Sequence, residues 1–320
     1  MATHSHHTNL RDFVRMGVTI VKTADIRDAV LNAFYFTHHH LRSTRFIKSQ
    51  VWYPSVNIIE MTYGCNRNCL GCYIPLEQRH DKKVIDSTIL ERTITESKNI
   101  GIPLFVLVGG EVMSEQMMPL LEATVRSNKD CMFVVCTNGD YIAKQGVGTL
   151  ANVHNISFSV SIDGFQEEHD FIRGHGSFEN TSMALDRLRD SHKAFFVSST
   201  MRNNNDATVL SPEFNHFLKS KGVVYQGVQR FRSPNPEEEY PSEKFLNYLC
   251  HIANHRCSYP VPIIHGHISE DLLSQDTQFS YIITSMNGDI RIGKVKEEYG
   301  NMAEESLPNI IEKIRNDHRI

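Results

Sequence analysis

Cys65-Asn66-Arg67-Asn68-Cys69-Leu70-Gly71-Cys72 puts three thiols on one short segment, with three residues between the first pair and two between the second. The run before it, Val56 to Met61, is largely apolar and reads as a β-strand, so the cysteines sit on the loop that leaves the strand's C-terminal end. With seven cysteines in 320 residues, chance yields this spacing only about 0.003 times per chain. Three thiolates from one loop can hold a [4Fe–4S] cube and leave one iron without a protein ligand. An open metal position is where chemistry can occur. A zinc loop with a fourth ligand elsewhere, such as His80, and a cluster used only for electron transfer are the alternatives at this point.

Outward from the loop, short apolar runs alternate with helical patterns, the mark of parallel βα units. Strands are expected at 56–61, 104–108, 132–137, 156–162, 194–201 and 223–229, and helices at about 87–98, 115–127, 141–150, 180–192 and 212–221. Five crossover helices joining six parallel strands make an α/β partial (βα)6 barrel, with its chemistry at the C-terminal strand ends. Residues 1–50 read as an N-terminal helical extension, 51–232 as the barrel and 233–320 as a small α+β C-terminal appendage. The last boundary rests on Ser233-Pro234-Asn235-Pro236 and the glutamates 237–239, a stretch of breakers and like charges. Beyond it, a helix is expected at about 243–255, a two-strand turn through 281–292 around Asn287-Gly288, and a last helix at 304–315.

Lys plus Arg total 33 against 37 Asp plus Glu, a formal charge of −4 without the basic excess of a phosphate-tracking protein, so nucleic acid is not expected as a partner. Uninterrupted apolar runs such as Leu104 to Val108 are far shorter than a membrane span, and no export or organelle signal is evident near Met1. A soluble, cytoplasmic chain is expected. In a reducing compartment an odd, clustered set of cysteines points to metal or redox chemistry before disulfides.

The loop Cys65 to Cys72 resembles the cluster loop of the radical S-adenosylmethionine (radical SAM) enzymes, whose three cysteines follow the first strand of a (βα)6 partial barrel. Tyr73 after the third cysteine suits the family, whereas Gly71 stands where an aromatic residue is usual. Gly109-Gly110-Glu111 follows the second strand like the family's GGE turn. Two glycines let peptide groups approach a ligand, and a carboxylate suits an ammonium ion; the resemblance assigns these residues to the methionine amino group of S-adenosylmethionine. Thr137-Asn138-Gly139 resembles another family turn, in which Asn138 either meets the cofactor or tolerates a left-handed turn. Ser159, Ser161 and Asp163 alternate onto one side of a strand and call for polar partners. Arg173, in a His169–Phe178 stretch similar to the subgroup with SPASM or twitch appendages, is a fork for the cofactor carboxylate or ribose region, with Ser161 beside it; the alternative is pairing with Asp170.

The tail around Asn287-Gly288-Asp289 is similar to the end of a twitch-type appendage, yet no cysteine follows Cys257, so an auxiliary cluster is not expected. Cys131 and Cys136 read as small core residues, and His38 to His40 as a partly exposed helix face. The resemblance implies one [4Fe–4S] cluster on Cys65, Cys69 and Cys72, cleavage of S-adenosylmethionine to a 5′-deoxyadenosyl radical, and hydrogen abstraction from a peptide or a small natural-product or cofactor substrate. A reduced flavodoxin or ferredoxin-type protein is the expected electron donor. The alternatives are a non-catalytic iron–sulfur or zinc sensor or assembly protein, and an enzyme that uses the cofactor as methyl or aminocarboxypropyl donor.

Overall fold

The computed structural model describes residues 54–233, 237–254, 259–265, 281–292 and 298–318, with scattered positions between 16 and 30. Most of the expected N-terminal extension, the triplet His38 to His40 and Cys257 lie outside the described residues. In chain order the barrel elements are β1 (Val56–Thr62), α1 (Ser87–Asn99), β2 (Leu104–Gly109), α2 (Met118–Ser127), β3 (Met132–Thr137), α3 (Asp140–Gln145), β4 (Ile156–Ser161), α4 (Gln166–Arg173), α5 (Ser177–Asp190), β5 (Phe195–Met201), α6 (Pro212–Ser220) and β6 (Gln226–Arg230). The tail adds α7 (Ser242–Asn254), β7 (Ile263–His265), β8 (Tyr281–Thr284), β9 (Asp289–Ile292), β10 (Gly300–Asn301) and α8 (Leu307–His318).

The strands form one sheet in the order β10-β9-β8-β1-β2-β3-β4-β5-β6-β7, parallel from β8 through β7. Both faces of a parallel sheet are covered, so its strands read as near-continuous apolar runs. One face carries Ile59, Phe105, Leu107, Phe133, Val135, Phe158, Val160 and Val197, packed on Leu90 and Ile94 of α1, Leu121 and Val125 of α2, Leu185 and Leu188 of α5 and Phe214 and Leu218 of α6. The concave face starts as an apolar floor of Val56, Leu104, Met132, Val134 and Tyr281, joined by Ile58, Val106, Phe196 and Ile283. Further along the strands the same face turns polar, and that is where the cysteine loop lies.

Helix ends follow local chemistry. Asp86 caps α1 by accepting from Thr88 N at 2.8 Å and Ile89 N at 3.3 Å, and Ser211 caps α6 by accepting from Phe214 N at 3.1 Å. The helix expected at 141–150 stops at Gln145, because Gly146 (φ 73°) ends it in a conformation open to glycine, and a 3₁₀ turn Gly148–Asn152 follows. The helix expected at 180–192 is α5, which starts three residues earlier because Asp170 accepts from Gly176 N (2.9 Å), Ser177 Oγ (3.0 Å) and Phe178 N (2.8 Å); α4, which ends at Gly174, is an additional helix not expected from the sequence.

The tail builds onto both edges of the barrel sheet. β8 pairs with β1 from Val56↔Tyr281 to Ile59↔Thr284, and β7 pairs with β6. The β8–β9 hairpin and α8 bury Ile282, Ile290, Ile292, Met302, Leu307 and Ile310 against Ile102, covering an edge that would otherwise be open to another strand.

At the N-terminal end of the strands Lys193 donates to Asp28 Oδ2 at 3.0 Å and to the Val153 carbonyl, with both charged side chains buried. Burial pushes the Asp28 carboxyl up, against the pull of Lys193 and His154. Lys193→Ala strands a buried carboxylate and is expected to cost about 3–5 kcal/mol. Urea unfolding checks this: Asp28→Asn/Lys193→Met should lose less than Lys193→Ala alone, and an equal or larger loss would show that a stranded carboxylate is not what Lys193→Ala costs.

Candidate functional site

The loops after β1, β2 and β3 are stitched together by their backbones and by one buried carboxylate. Gly110 N donates to Thr62 O and Glu111 N to Gly64 O, each at 2.8 Å. A Cβ on Gly110 would come within 2.1 Å of Gly64 O and 2.5 Å of Tyr63 O, so the two loops run this close only because residue 110 has no side chain. Gly110→Ala should therefore disrupt the cysteine loop, and iron content after reconstitution should fall by at least half.

Glu111 is 3% exposed. Its Oε1 accepts from Met113 N (2.8 Å) and Thr137 Oγ1 (2.7 Å), and its Oε2 from Asn138 N (2.7 Å), which leaves one lone pair of Oε2 open. Burial pushes its pKa up to about 7, against these three donors. Asn138 Oδ1 accepts from Asp140 N at 2.9 Å, and its Nδ2 donates to Asn66 Oδ1 at 2.8 Å, so the β3 turn also reaches the cysteine loop. The left-handed residue there is Gly139 (φ 88°), which removes the left-handed reading of Asn138.

Arg67, two residues after Cys65, forks onto Asp140 through Nε at 2.7 Å and Nη2, and Asp140 also accepts from Asn66 and Asn180. Cys65 N donates to Arg79 O at 2.8 Å and Leu70 N to Ile172 O at 2.9 Å, fixing both ends of the loop. The three cysteines are free and partly exposed. Burial, the charge of Glu111 and the neighbouring Cys69 and Cys72 push the Cys65 thiol up to about 11, although an N–H at Arg67 favours the thiolate. Burial likewise raises Cys69. Such mutually opposed thiolates fit a site neutralised by a metal group. Their sulfurs are not all within 4.8 Å of one another; among the described residues that spacing is met by Asp25, Asp28 and His154.

Beside the cysteines, Arg173 donates through Nε to Asp163 Oδ2 at 2.6 Å, not to Asp170. Asp163 is fully buried and also accepts from Thr200 N at 2.7 Å. The Nη groups of Arg173 have no protein partner among the described residues, and its side chain is 16% exposed. His169 is fully buried and accepts through Nδ1 from Asp163 N at 3.1 Å. Burial, then Arg173, lowers its pKa to about 4, so the ring stays neutral. Because the unfolded histidine titrates near 6.5, this neutral ring favours the fold fully above that pH and loses the advantage as pH falls toward 4, by at most about 3 kcal/mol. Urea midpoints at pH 7 and 4.5 should diverge by less in His169→Gln.

The polar part of the concave face holds Ser159, bonded to Cys136, then Ser161, and Ser198 accepting from Gln229 at 3.0 Å. Opposite, Glu60 accepts from Tyr63 Oη and from Arg291 Nη2, each at 3.0 Å. Tyr73 is 67% exposed but overhangs this mouth, where the surrounding walls, then Glu60, Cys72 and Cys136, raise its phenol pKa.

Residues 59–210 match the family profile described as Radical SAM superfamily. This stretch is a radical SAM domain. It is similar to the AdoMet-dependent heme synthase of Methanosarcina barkeri (strain Fusaro / DSM 804), 31% identical over 156 residues that cover 48% of this chain and 44% of the relative. Similarity also extends to the sporulation killing factor maturation protein SkfB of Bacillus subtilis (strain 168), 23% identical over 46% of this chain and 36% of that one. The chain thus spans less than half the length of these curated relatives. Its fold is that of Streptococcus suis SuiB bound to precursor peptide SuiA, with a TM-score of 0.67, 15% identity, 84% of this chain and 67% of that chain covered. Native anSMEcpe with bound AdoMet and Cp18Cys peptide aligns with a TM-score of 0.63 and 17% identity over 84% of this chain and 82% of that one.

The radical SAM residues expected from the sequence gather at one end of the sheet: Cys65, Cys69, Cys72, Gly109, Gly110, Glu111, Asn138, Asp163 and Arg173 line the strand ends, with Ser159 and Ser161 on the concave wall. The supporting residues Arg67, Asp140, Arg79, Arg202 and Phe231 carry no motif spacing, and partners more than a hundred residues apart, such as Arg202 and Leu70, meet only through the fold. Cys250 is exposed on α7. Cys250→Ala/Cys257→Ala should keep the full iron content of a one-cluster protein, and loss of about half the iron would reveal a second cluster.

Proposed function

We propose that this chain is a radical SAM enzyme with one [4Fe–4S] cluster on Cys65, Cys69 and Cys72, acting on a peptide or a small natural-product or cofactor substrate. The observation that carries the reading is the loop itself: three partly exposed, mutually opposed thiols at the mouth of a partial barrel, beside a guanidinium whose Nη groups have no partner among the described residues. With S-adenosylmethionine bound, the cluster would supply reductive cleavage to methionine and a 5′-deoxyadenosyl radical.

The chain's own residues do the rest. Arg173 offers its free Nη groups to the cofactor carboxylate, and Glu111 offers its open Oε2 lone pair to the ammonium. Asp163 and His169 fix the orientation of Arg173, and Thr137 and Asn138 fix that of Glu111. The apolar floor from Val56 to Tyr281 closes the lower end of the concavity and keeps water from that side. Ser159, Ser161, Ser198 and Gln229 give the wall hydrogen-bonding groups without charge, which suits orientation of a neutral target next to the site.

Likeness to the heme synthase supports a small-molecule or cofactor substrate, and likeness to SkfB supports a peptide. An external low-potential protein of the flavodoxin or ferredoxin type would donate the electron. The test is anaerobic incubation of reconstituted protein with dithionite and S-adenosylmethionine: 5′-deoxyadenosine and methionine should form together. Methylthioadenosine or S-adenosylhomocysteine in their place would favour a group transferase, and no product with a full cluster would favour a sensor.

A further inference from the structure

Four guanidinium groups surround the cysteine loop, and two of them are neutralised, Arg67 by Asp140 and Arg173 by Asp163. The other two have no carboxylate partner among the described residues. Arg79 donates from Nε to Ile74 O at 2.8 Å and from Nη1 to Cys69 O at 3.3 Å. Arg202, just past β5, donates from Nη2 to Leu70 O at 2.7 Å. Its guanidinium carbon lies 3.4 Å from the centroid of the Phe231 ring, just past β6, and its Nε is buried with no hydrogen-bond partner. The flat fork is thus held between an aromatic face and the peptide joining Leu70 to Gly71, between two of the cysteines.

The fit leaves no room for a side chain at position 71. A Cβ there would lie 2.5 Å from the Phe231 ring and 2.8 Å from Arg202 Nη2, and Gly71 has φ +61°. Residue 71 is glycine because residues 202 and 231 occupy its space. These two come from strands far along the chain and press on the loop from outside the cysteine set.

We propose that Arg202, wedged between Phe231 and the Leu70–Gly71 peptide, is a positioning residue for the cysteine loop whose charge, ion-paired with no carboxylate among the described residues, sets the reduction potential of the cluster held there. The inference rests on the one-cluster reading above. Reduction adds a negative charge to a thiolate-ligated cluster, and a fixed cation in a partly dry site stabilises the reduced form. A hydrogen bond from that cation to a loop carbonyl draws charge the same way. Stacking on Phe231 keeps the planar group in place, which a lysine cannot copy, although it can supply the charge.

The test is a redox titration of the reconstituted protein followed by electron paramagnetic resonance, with iron and sulfide assayed in parallel. Arg202→Gln should hold a cluster whose equilibrium constant for reduction is at least tenfold lower, about 59 mV more negative for one electron. Arg202→Lys should recover half of that shift or more. Phe231→Leu keeps the charge and should stay within about half of the Arg202→Gln shift. A loaded Arg202→Gln cluster with the wild-type potential overturns the inference, as does a Phe231→Leu shift as large as that of Arg202→Gln. Should Arg202→Gln fail to load, Arg202→Lys decides: the wild-type potential supports the charge, and a tenfold loss overturns it. Wild-type protein that never loads a cluster overturns this inference and the reading beneath it, whereas a normal wild-type cluster indifferent to residue 202 overturns this inference alone.

Discussion

Replacing Cys65, Cys69 or Cys72 by Ala is expected to abolish the cluster, leaving reconstituted protein without its brown absorbance near 400 nm and with iron and sulfide near zero. Wild type should hold about four of each. The expected loss is total because the three sulfurs belong to one loop and, among the described residues, no spare thiol stands by. Cys131 is buried within the core behind the sheet, Cys136 is bonded to Ser159 on the concave wall, and Cys250 is exposed on α7. The loop itself should survive each substitution, since Arg67–Asp140, Asn66–Asn138 and the Cys65 N to Arg79 O bond hold it without the cysteine side chains. Unfolding midpoints of the metal-free mutants should therefore match that of metal-free wild type. Stoichiometric zinc without sulfide in the wild type would defeat the cluster and return the zinc loop to first place.

Much of the barrel was legible because parallel strands buried on both faces leave unbroken apolar runs, and each of the six expected in the barrel lies where a strand is found, within about three residues. The C-terminal hairpin and last helix were legible for the same local reasons, a turn at Asn287-Gly288 and an apolar stripe from Leu307 to Ile314. What the tail does with them was not legible, since pairing of β8 beside β1 joins residues more than two hundred positions apart. Helix α4 has no counterpart among the expected helices: its eight residues end at Gly174, and Asp170 within it caps the next helix, so the stretch His169 to Phe178 carries turn and cap residues in place of an extended apolar stripe.

The candidate site shows the same division. Cysteines and glycines carry spacing that chemistry demands, and they can be read in a line. Asp163 illustrates the rest: its place on the same strand face as Ser159 and Ser161 was readable, but not that Arg173, His169 and Thr200 would all turn to it. Its carboxylate is used to aim a guanidinium, and that use depends on three elements meeting. Gly71 is the converse case, a residue that departs from its family and whose reason lies in Arg202 and Phe231.

Glu111→Ala and Arg173→Ala should keep the cluster but weaken S-adenosylmethionine binding tenfold or more, with slow reductive formation of 5′-deoxyadenosine falling in step. Charge-assisted contacts of the kind assigned to these groups contribute roughly 1.5–3 kcal/mol each, and 1.4 kcal/mol is tenfold in affinity. Each substitution also removes a structural partner. Glu111→Ala leaves the Thr137 hydroxyl and the Asn138 and Met113 amides without an acceptor, and Arg173→Ala leaves the buried Asp163 carboxylate without its cation. Arg173→Lys separates the two effects, because an ammonium can neutralise Asp163 but cannot place two further N–H groups in the plane of a carboxylate. It should fold like wild type and still bind the cofactor several-fold more weakly. Equilibrium dialysis, and the change in the electron paramagnetic resonance signal of the reduced cluster on adding cofactor, read binding without turnover. If Arg173→Lys binds as tightly as wild type while Arg173→Ala loses both affinity and stability, Arg173 serves Asp163 and the fold, and the carboxylate contact lies elsewhere. If Glu111→Ala and Arg173→Ala both bind and cleave the cofactor at wild-type levels, the enzyme class stands and these assignments fall.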